Sequence, residues 1–199
     1  MTYHSHNLAA LIGSRICHDL ISPIGAVTNG LELLALSGTT DCPEMTLVND
    51  SAANANARIR LFRMAFGLAS ADQTTGSQEI RDFLKGVYSD GRIVVNWMPT
   101  GDLLRRVAQA AVLSILCAEQ AIPFGGTLTI SESDGQWIIT ATGDRLKADP
   151  ALWAALKGYD APREIAPAHV QFILLPAVLN EIGRHCHYDI SPSGARILF

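Results

Sequence analysis

The sequence predicts an α+β protein of two domains. An N-terminal antiparallel helical hairpin forms a four-helix bundle by dimerisation, and a C-terminal α/β sandwich follows it. Three observations carry this reading. Two long segments of helical period open the chain, with a short loop between them. A polar stretch without periodicity, Ala71 to Ser77, comes next. Beyond it, short β-rich runs alternate with apolar helical runs to the end of the chain. The expected domains are therefore residues 1–70 and 78–199, with 71–77 as the linker.

The first helix is expected over His6 to Leu36. Leu8, Ile12, Ile16, Leu20, Ile24, Val27, Leu31 and Leu34 fall on one stripe at about 100° per residue. His18 falls about 180° from the centre of that stripe. Ser14, Ser22, Gly25 and Asn29 gather round it, so an exposed histidine stands on a face of small residues. Pro23 removes a backbone hydrogen bond just past it, which predicts a kink. Ser37-Gly38 ends the helix, glycine supplying a left-handed residue. Thr39 to Pro43 form the loop, with Pro43 suited to a first helical turn.

The second helix is expected over Glu44 to Ala69. Its seam is Val48, Ala52, Ala55, Ile59, Phe62 and Phe66, with alternating four- and three-residue spacing. Asn49, Asp50, Asn54, Asn56, Arg60 and Arg63 fall mostly on other faces. A lone hairpin leaves both apolar stripes wet, and a second copy covers them. A monomer whose hairpin packs on its own second domain is the alternative.

The second half reads as follows. Gln78 to Tyr88 is a short helix and Arg92 to Met98 a strand. Asp102 to Gln120 is an apolar helix, with Asp102 placed to favour the helix dipole. Thr127 to Ser133 and Gln136 to Thr142 form a hairpin around Asp134-Gly135. Asp149 to Lys157 is a helix and Asp160 to Glu164 a loop. Ala166 to Gly183 is a helix bent at Pro176. His187 to Ser191 and Ala195 to Phe199 are closing strands. Helices thus cover one face of a mostly antiparallel sheet.

Composition narrows the classes. The chain has 199 residues, a net charge of −4, 48% hydrophobic and 17% charged residues, so it can bury a large core. No basic tract supports nucleic-acid binding. No apolar run spans a bilayer and no secretory signal is present, so a cytoplasmic protein is expected. The histidine helix begins close to Met1, so no sensor segment is expected ahead of it. Cys17, Cys42, Cys117 and Cys186 form no CxxC pair and read as free thiols. His185-Cys186-His187 is too tight a triplet for a good tetrahedral site, and no metal is expected.

The chemistry centres on His18. A neutral imidazole can take a phosphoryl group on a ring nitrogen, and an ordinary pKa of about 6.5 makes that form available. Asp19 can hold the other nitrogen's proton and fix the tautomer, or assist proton movement. Ser22, one turn on, can hydrogen-bond an oxyanion.

His18-Asp19-Leu20-Ile21-Ser22-Pro23 resembles the phosphoacceptor box of sensor histidine kinases. There a histidine, an acidic residue and a proline keep the same spacing. Ile21 replaces the usual basic residue, and Ser22 the usual Thr or Asn. The longer run HDLISPIGAVTNGLELL, His18 to Leu34, is similar to the ChpT-type histidine phosphotransferases of alphaproteobacteria. The second half resembles the ATP-binding (Bergerat) domain of the GHKL superfamily, in degenerate form. Ser114 and Ala118 stand where that family carries asparagines for metal and phosphate. Ala141 replaces the aspartate that reads adenine, and Asp144 follows Gly143 at the wrong offset. Pro162 to Pro167 occupy the place of the glycine-rich lid. Glu119 alone is a poor magnesium ligand.

The resemblance implies a histidine phosphotransferase of a multistep two-component phosphorelay in cell-cycle regulation, working as a homodimer. His18 is the phosphoacceptor and Asp19 orients it or assists its proton. From face geometry alone, Ser14, Ser22, Gly25 and Asn29 are the expected receiver-docking residues, with Arg15 added to them. The donor is the receiver domain of a hybrid histidine kinase, and response-regulator receivers are the acceptors. The protein needs no cofactor of its own, since the receiver supplies Mg²⁺, and has no nucleic-acid or membrane partner. A histidine kinase with an atypical ATP site, and a non-catalytic receiver-binding scaffold or inhibitor, are the rival readings.

Overall fold

Helix α1 runs Ser5–Ser37 and helix α2 runs Pro43–Phe66, packed against each other as a hairpin. The computed structural model describes residues 5–37, 43–70, 72–158 and 164–199. The expected cap at Gly38 and the loop from Thr39 to Cys42 lie outside the described residues. Gly30 sits at the helix crossing. A Cβ there would lie 2.3 Å from Val48 Cγ2, so the glycine lets the two backbones approach.

The expected α2 seam is split. Val48, Ala55 and Phe62 are buried, whereas Ala52 and Ile59 are exposed. On α1, Ile24 and Leu31 are 52% and 53% exposed. An apolar face running over both helices is therefore uncovered in a single chain. The opposite side of α2 is covered: Ala57, Leu61, Met64 and Ala65 join the core of the second domain.

The predicted linker is a structural element. Thr74–Gly76 forms strand β1, antiparallel to strand β3, Asp102–Leu104, with Thr75 opposite Leu103. The Gln73 carbonyl accepts from the Arg105 N–H at 2.7 Å, and the Ser77 N–H donates to Gly101 at 2.9 Å. Helix α3, Ser77–Val87, begins at once. Strand β2, Ile93–Trp97, follows it. Because Asp102 is in β3, it is not at a helix start as predicted. Helix α4 begins later, at Arg105–Ala118, and closes with a 3₁₀ turn over Glu119–Ala121.

Two side chains of α4 secure the end of α2. Arg105 Nη2 donates to the Arg63 carbonyl at 2.7 Å. Gln109 Nε2 donates to the carbonyls of Ala65 and Gly67 at 3.0 and 3.2 Å. A helix leaves its last carbonyls short of intrahelical partners; here the second domain supplies a donor to that of Ala65 and a further one to that of Arg63, which also accepts from the Gly67 N–H at 3.2 Å.

Strands β4, Gly126–Ser133, and β5, Gln136–Thr142, form the predicted hairpin. Asp134 and Gly135 both take positive φ, 53° and 80°, as a type I′ turn requires. Strands β6, His187–Ser191, and β7, Gly194–Leu198, complete a sheet of order β2-β4-β5-β7-β6. Only the β2–β4 pairing in it is parallel. Leu128, Ile130, Ile139, Ala141, Ala195 and Ile197 make its buried face against α4.

Helix α5, Pro150–Ala155, is capped by the Asp149 carboxylate, which accepts from the Ala151 N–H at 2.9 Å. The predicted helix from Ala166 is divided. Pro167–His169 is a 3₁₀ turn, and helix α6 is Gln171–Glu181 with Pro176 inside it. Trp153 packs edge-on to Phe172 and Tyr188, tying α5 to α6 and β6. Most of the loop predicted at Asp160 to Glu164 lies outside the described residues. Among the described residues, no helix is long and apolar enough to cross a membrane.

Candidate functional site

Helical period alone presents His18 outward, and its side chain is 86% exposed. Its Nδ1 lies 3.0 Å from Asp19 Oδ1. With an ionised carboxylate as acceptor, Nδ1 carries the proton and Nε2 keeps the lone pair. Among the described residues Nε2 has no hydrogen-bond partner, so the nucleophilic edge of the ring faces outward. Pro23 lies inside α1 and leaves the Asp19 carbonyl without its helical N–H.

Beside His18 is a groove of about 450 Å³ between the two helices. His18, Asp19, Ser22, Pro23 and Ala26 form one wall, and Asp50, Ser51, Asn54 and Arg58 the other. The α2 wall is the part that sequence reasoning missed. The spacing places Asp50 and Asn54 only on faces other than the α2 seam, and does not single out Arg58. The signal was the polar spacing of Ser51, Asn54 and Arg58, which brings them to one side of α2. Asn54 is fixed by two bonds: Nδ2 donates to the Gly86 carbonyl at 3.0 Å and Oδ1 accepts from Arg58 Nε at 2.9 Å.

Of the predicted docking residues, Ser14, Ser22 and Asn29 are exposed, and only Ser22 lines the groove. Gly25 has open space around it: an added Cβ meets nothing within 4 Å. Arg15 does not share this outer face. It is buried, with its guanidinium turned toward the second domain. Nε donates to Asp19 Oδ2 at 2.8 Å, and Nη1 donates to the Ala168 carbonyl. Nη2 lies 3.8 Å from Glu119 Oε1. Glu119 Oε2 in turn accepts from Tyr88 Oη at 2.6 Å. Burial pushes the Glu119 carboxyl above the ordinary carboxylate range, against the Tyr88 bond and the Arg15 charge. The Tyr88 hydroxyl is also pushed well up, by burial first and the Glu119 charge second. Arg15, Asp19, Arg58, Tyr88 and Glu119 line a second, polar cleft of about 280 Å³ where the hairpin meets the second domain.

Ser114, Ala118 and Ala141 are wholly buried, and Ser114 Oγ donates to the Ala110 carbonyl at 2.8 Å within its own helix. These side chains pack the core between α4 and the sheet. In the His185-Cys186-His187 triplet the two histidines are exposed and the cysteine is buried. Among the described residues, no group of three His, Cys, Asp or Glu is placed to hold a metal.

The family described as "Histidine phosphotransferase C-terminal domain" matches residues 77–194. The protein phosphotransferase ChpT of Brucella abortus (strain 2308) is 35% identical over 175 residues, which cover 85% of this chain and 83% of that protein. A solved bacterial phosphotransferase structure superposes with a TM-score of 0.80 at 30% identity, over 100% of this chain and 98% of that one. An exposed histidine with one nitrogen held and one free suits the transfer chemistry of these relatives. The chain belongs to the ChpT-type histidine phosphotransferases, a family of transferases.

Proposed function

We propose that this protein carries phosphoryl groups between receiver domains in a multistep phosphorelay, with His18 as the carrier. The observation that supports it is the His18 ring itself, 86% exposed, with Nδ1 on Asp19 and Nε2 outward beside a polar groove. A phosphorylated receiver of a hybrid histidine kinase docks over the groove. Its aspartyl phosphate comes in line with Nε2. The Nε2–P bond forms as the P–O bond to the receiver aspartate breaks, and the carboxylate leaves with the electron pair. The ring becomes cationic while Nδ1 keeps its proton, and the Asp19 carboxylate stabilises that charge. Position and a nucleophile come from this chain. The receiver brings Mg²⁺, which neutralises the phosphoryl oxygens. A response-regulator receiver then takes the group by the reverse step.

The working form is a homodimer. Ile24, Leu31, Leu47 and Ile59 are large apolar side chains left about half exposed or more on the hairpin. A second hairpin covers them and completes a four-helix bundle, one outward histidine per chain. No ATP step is part of this reading, because Ser114, Ala118 and Ala141 offer no ligands for a nucleotide and its metal.

The test is a labelling experiment with two inputs. The protein is incubated with radiolabelled ATP alone, then with pre-phosphorylated receivers of hybrid kinases. Acid-labile label from a receiver only, absent in His18→Ala, is the expected result. Label from ATP alone makes the protein a kinase. No label from any of several receivers, with receiver binding retained, makes it a scaffold.

A further inference from the structure

We propose that Arg15 is a positioning residue for His18, held by the C-terminal domain through Glu119 and the Ala168 carbonyl. This rests on the phosphotransfer reading above and adds what the second domain contributes to it.

Arg15 and Asp19 are one turn apart on α1, a spacing common on helix surfaces, where such pairs contribute little. This pair differs because the arginine is buried and its remaining donors reach another domain. A buried guanidinium is costly unless its N–H groups find acceptors. Here Nε meets Asp19 Oδ2, Nη1 meets Ala168, and Nη2 pairs with Glu119. Both outer anchors are themselves fixed. Tyr88 holds the far oxygen of Glu119 at 2.6 Å. Gln171 Nε2 donates to the Ala168 carbonyl at 2.9 Å and to Leu116 on α4 at 3.2 Å. The planar fork of Arg15 therefore has one orientation available to it.

That orientation determines the carboxylate. Arg15 occupies Asp19 Oδ2, which leaves Oδ1 aimed at His18 Nδ1, 3.0 Å away. The proton stays on Nδ1 and the lone pair on Nε2. The second domain thus acts on the imidazole through Arg15 and Asp19, without touching it. For metal-binding histidines such outer partners are worth about 10- to 100-fold when removed, and the same lever, a fixed tautomer and ring orientation, operates here.

The test uses the full-length protein as wild type, Arg15→Gln, Arg15→Lys and Glu119→Gln. Two quantities are read. The ¹⁵N shifts of the His18 ring report the tautomer. Single-turnover transfer, followed against receiver concentration, separates the saturated rate from the receiver Kd. The wild type should show the Nδ1–H tautomer. Arg15→Gln should show a mixed tautomer and a saturated rate lowered roughly tenfold, with unchanged Kd. Arg15→Lys should recover only part of it, because an ammonium lacks the fork. Glu119→Gln, which keeps the Tyr88 bond, should fall between and serves as the arbiter if Arg15→Gln fails to fold. Wild-type ring shifts and saturated rate in all three variants would overturn the proposal. So would a change confined to Kd, which would make Arg15 a docking residue. If the wild type takes no label from any receiver, the phosphotransfer reading fails, and the ring shifts still decide the role of Arg15.

Discussion

Asp19 Oδ1 holds the His18 ring by its Nδ1 edge at 3.0 Å, which in the proposed relay determines the nitrogen left for chemistry. His18→Ala should abolish transfer. Asp19→Asn keeps the size but loses the charge that both Arg15 and the cationic phospho-imidazole require. Its saturated transfer rate should fall by roughly ten- to a hundredfold, the scale known for outer partners of metal-ligating histidines. Asp19→Ala should fall at least as far. Rapid-quench transfer from a phosphorylated receiver measures both, and full activity in Asp19→Asn would remove the charge argument.

The exposed stripe on the hairpin gives a test of assembly. Leu31 is 53% exposed and Ile24 52%. A carboxylate at either position costs little in a monomer and much in a dry helix seam. Leu31→Glu should therefore give a folded monomer by light scattering where the wild type should give a dimer. A wild type that is monomeric at micromolar concentration would end the bundle reading.

Helix α3 crosses α2 at Gly86, where an added Cβ would sit 2.6 Å from the Cβ of Ala57. Neither atom can rotate away, so the backbones must part. Helix propensity favours alanine over glycine by about 1 kcal/mol. Overpacking opposes it by about 1–3 kcal/mol, and separation also stretches the Asn54 bond to the Gly86 carbonyl. The second effect should win. Gly86→Ala is expected to lower stability by about 1–2 kcal/mol, read from urea unfolding. A stabilised variant would mean that the crossing has room for a methyl group.

Glu119 makes stability pH-dependent in a direction opposite to most carboxylates. Burial raises its folded-state pKa above the unfolded value, so the native state takes up a proton on folding. Its contribution is full below the unfolded value of about 4.3 and is lost as pH rises through the raised folded value. Glu119→Gln does not titrate. The stability of Glu119→Gln minus that of wild type should therefore grow from pH 4.5 to pH 7.5. Urea unfolding at the two pH values gives the comparison, and a difference that shrinks would show that the Arg15 pair outweighs burial.

The features that were legible in the sequence are those set by local period. His18 faces outward because helical spacing separates it from the Leu/Ile stripe, and the hairpin strands follow from alternation around Asp134-Gly135. Features set by distant partners were not legible. Arg15 shows its four-residue spacing to Asp19, yet its acceptor at Ala168 lies 153 positions away. Thr74 to Gly76 carries too few residues for a strand pattern, and becomes a strand only by pairing with Asp102 to Leu104. That same pairing delays the start of α4. The polar wall of α2 was visible as spacing, but nothing local distinguishes a groove lining from a solvated face.

The carbonyls at the end of α2 are fastened by Arg105 and Gln109, and this closes off one way of working. A device that passes messages by bending needs a free joint, and bending here would break three donations at once. In the proposed relay, helix motion in the hairpin is therefore not an input. On that reading the molecule keeps no clock and makes no decision: traffic through His18 would follow whichever phosphorylated partner is more abundant.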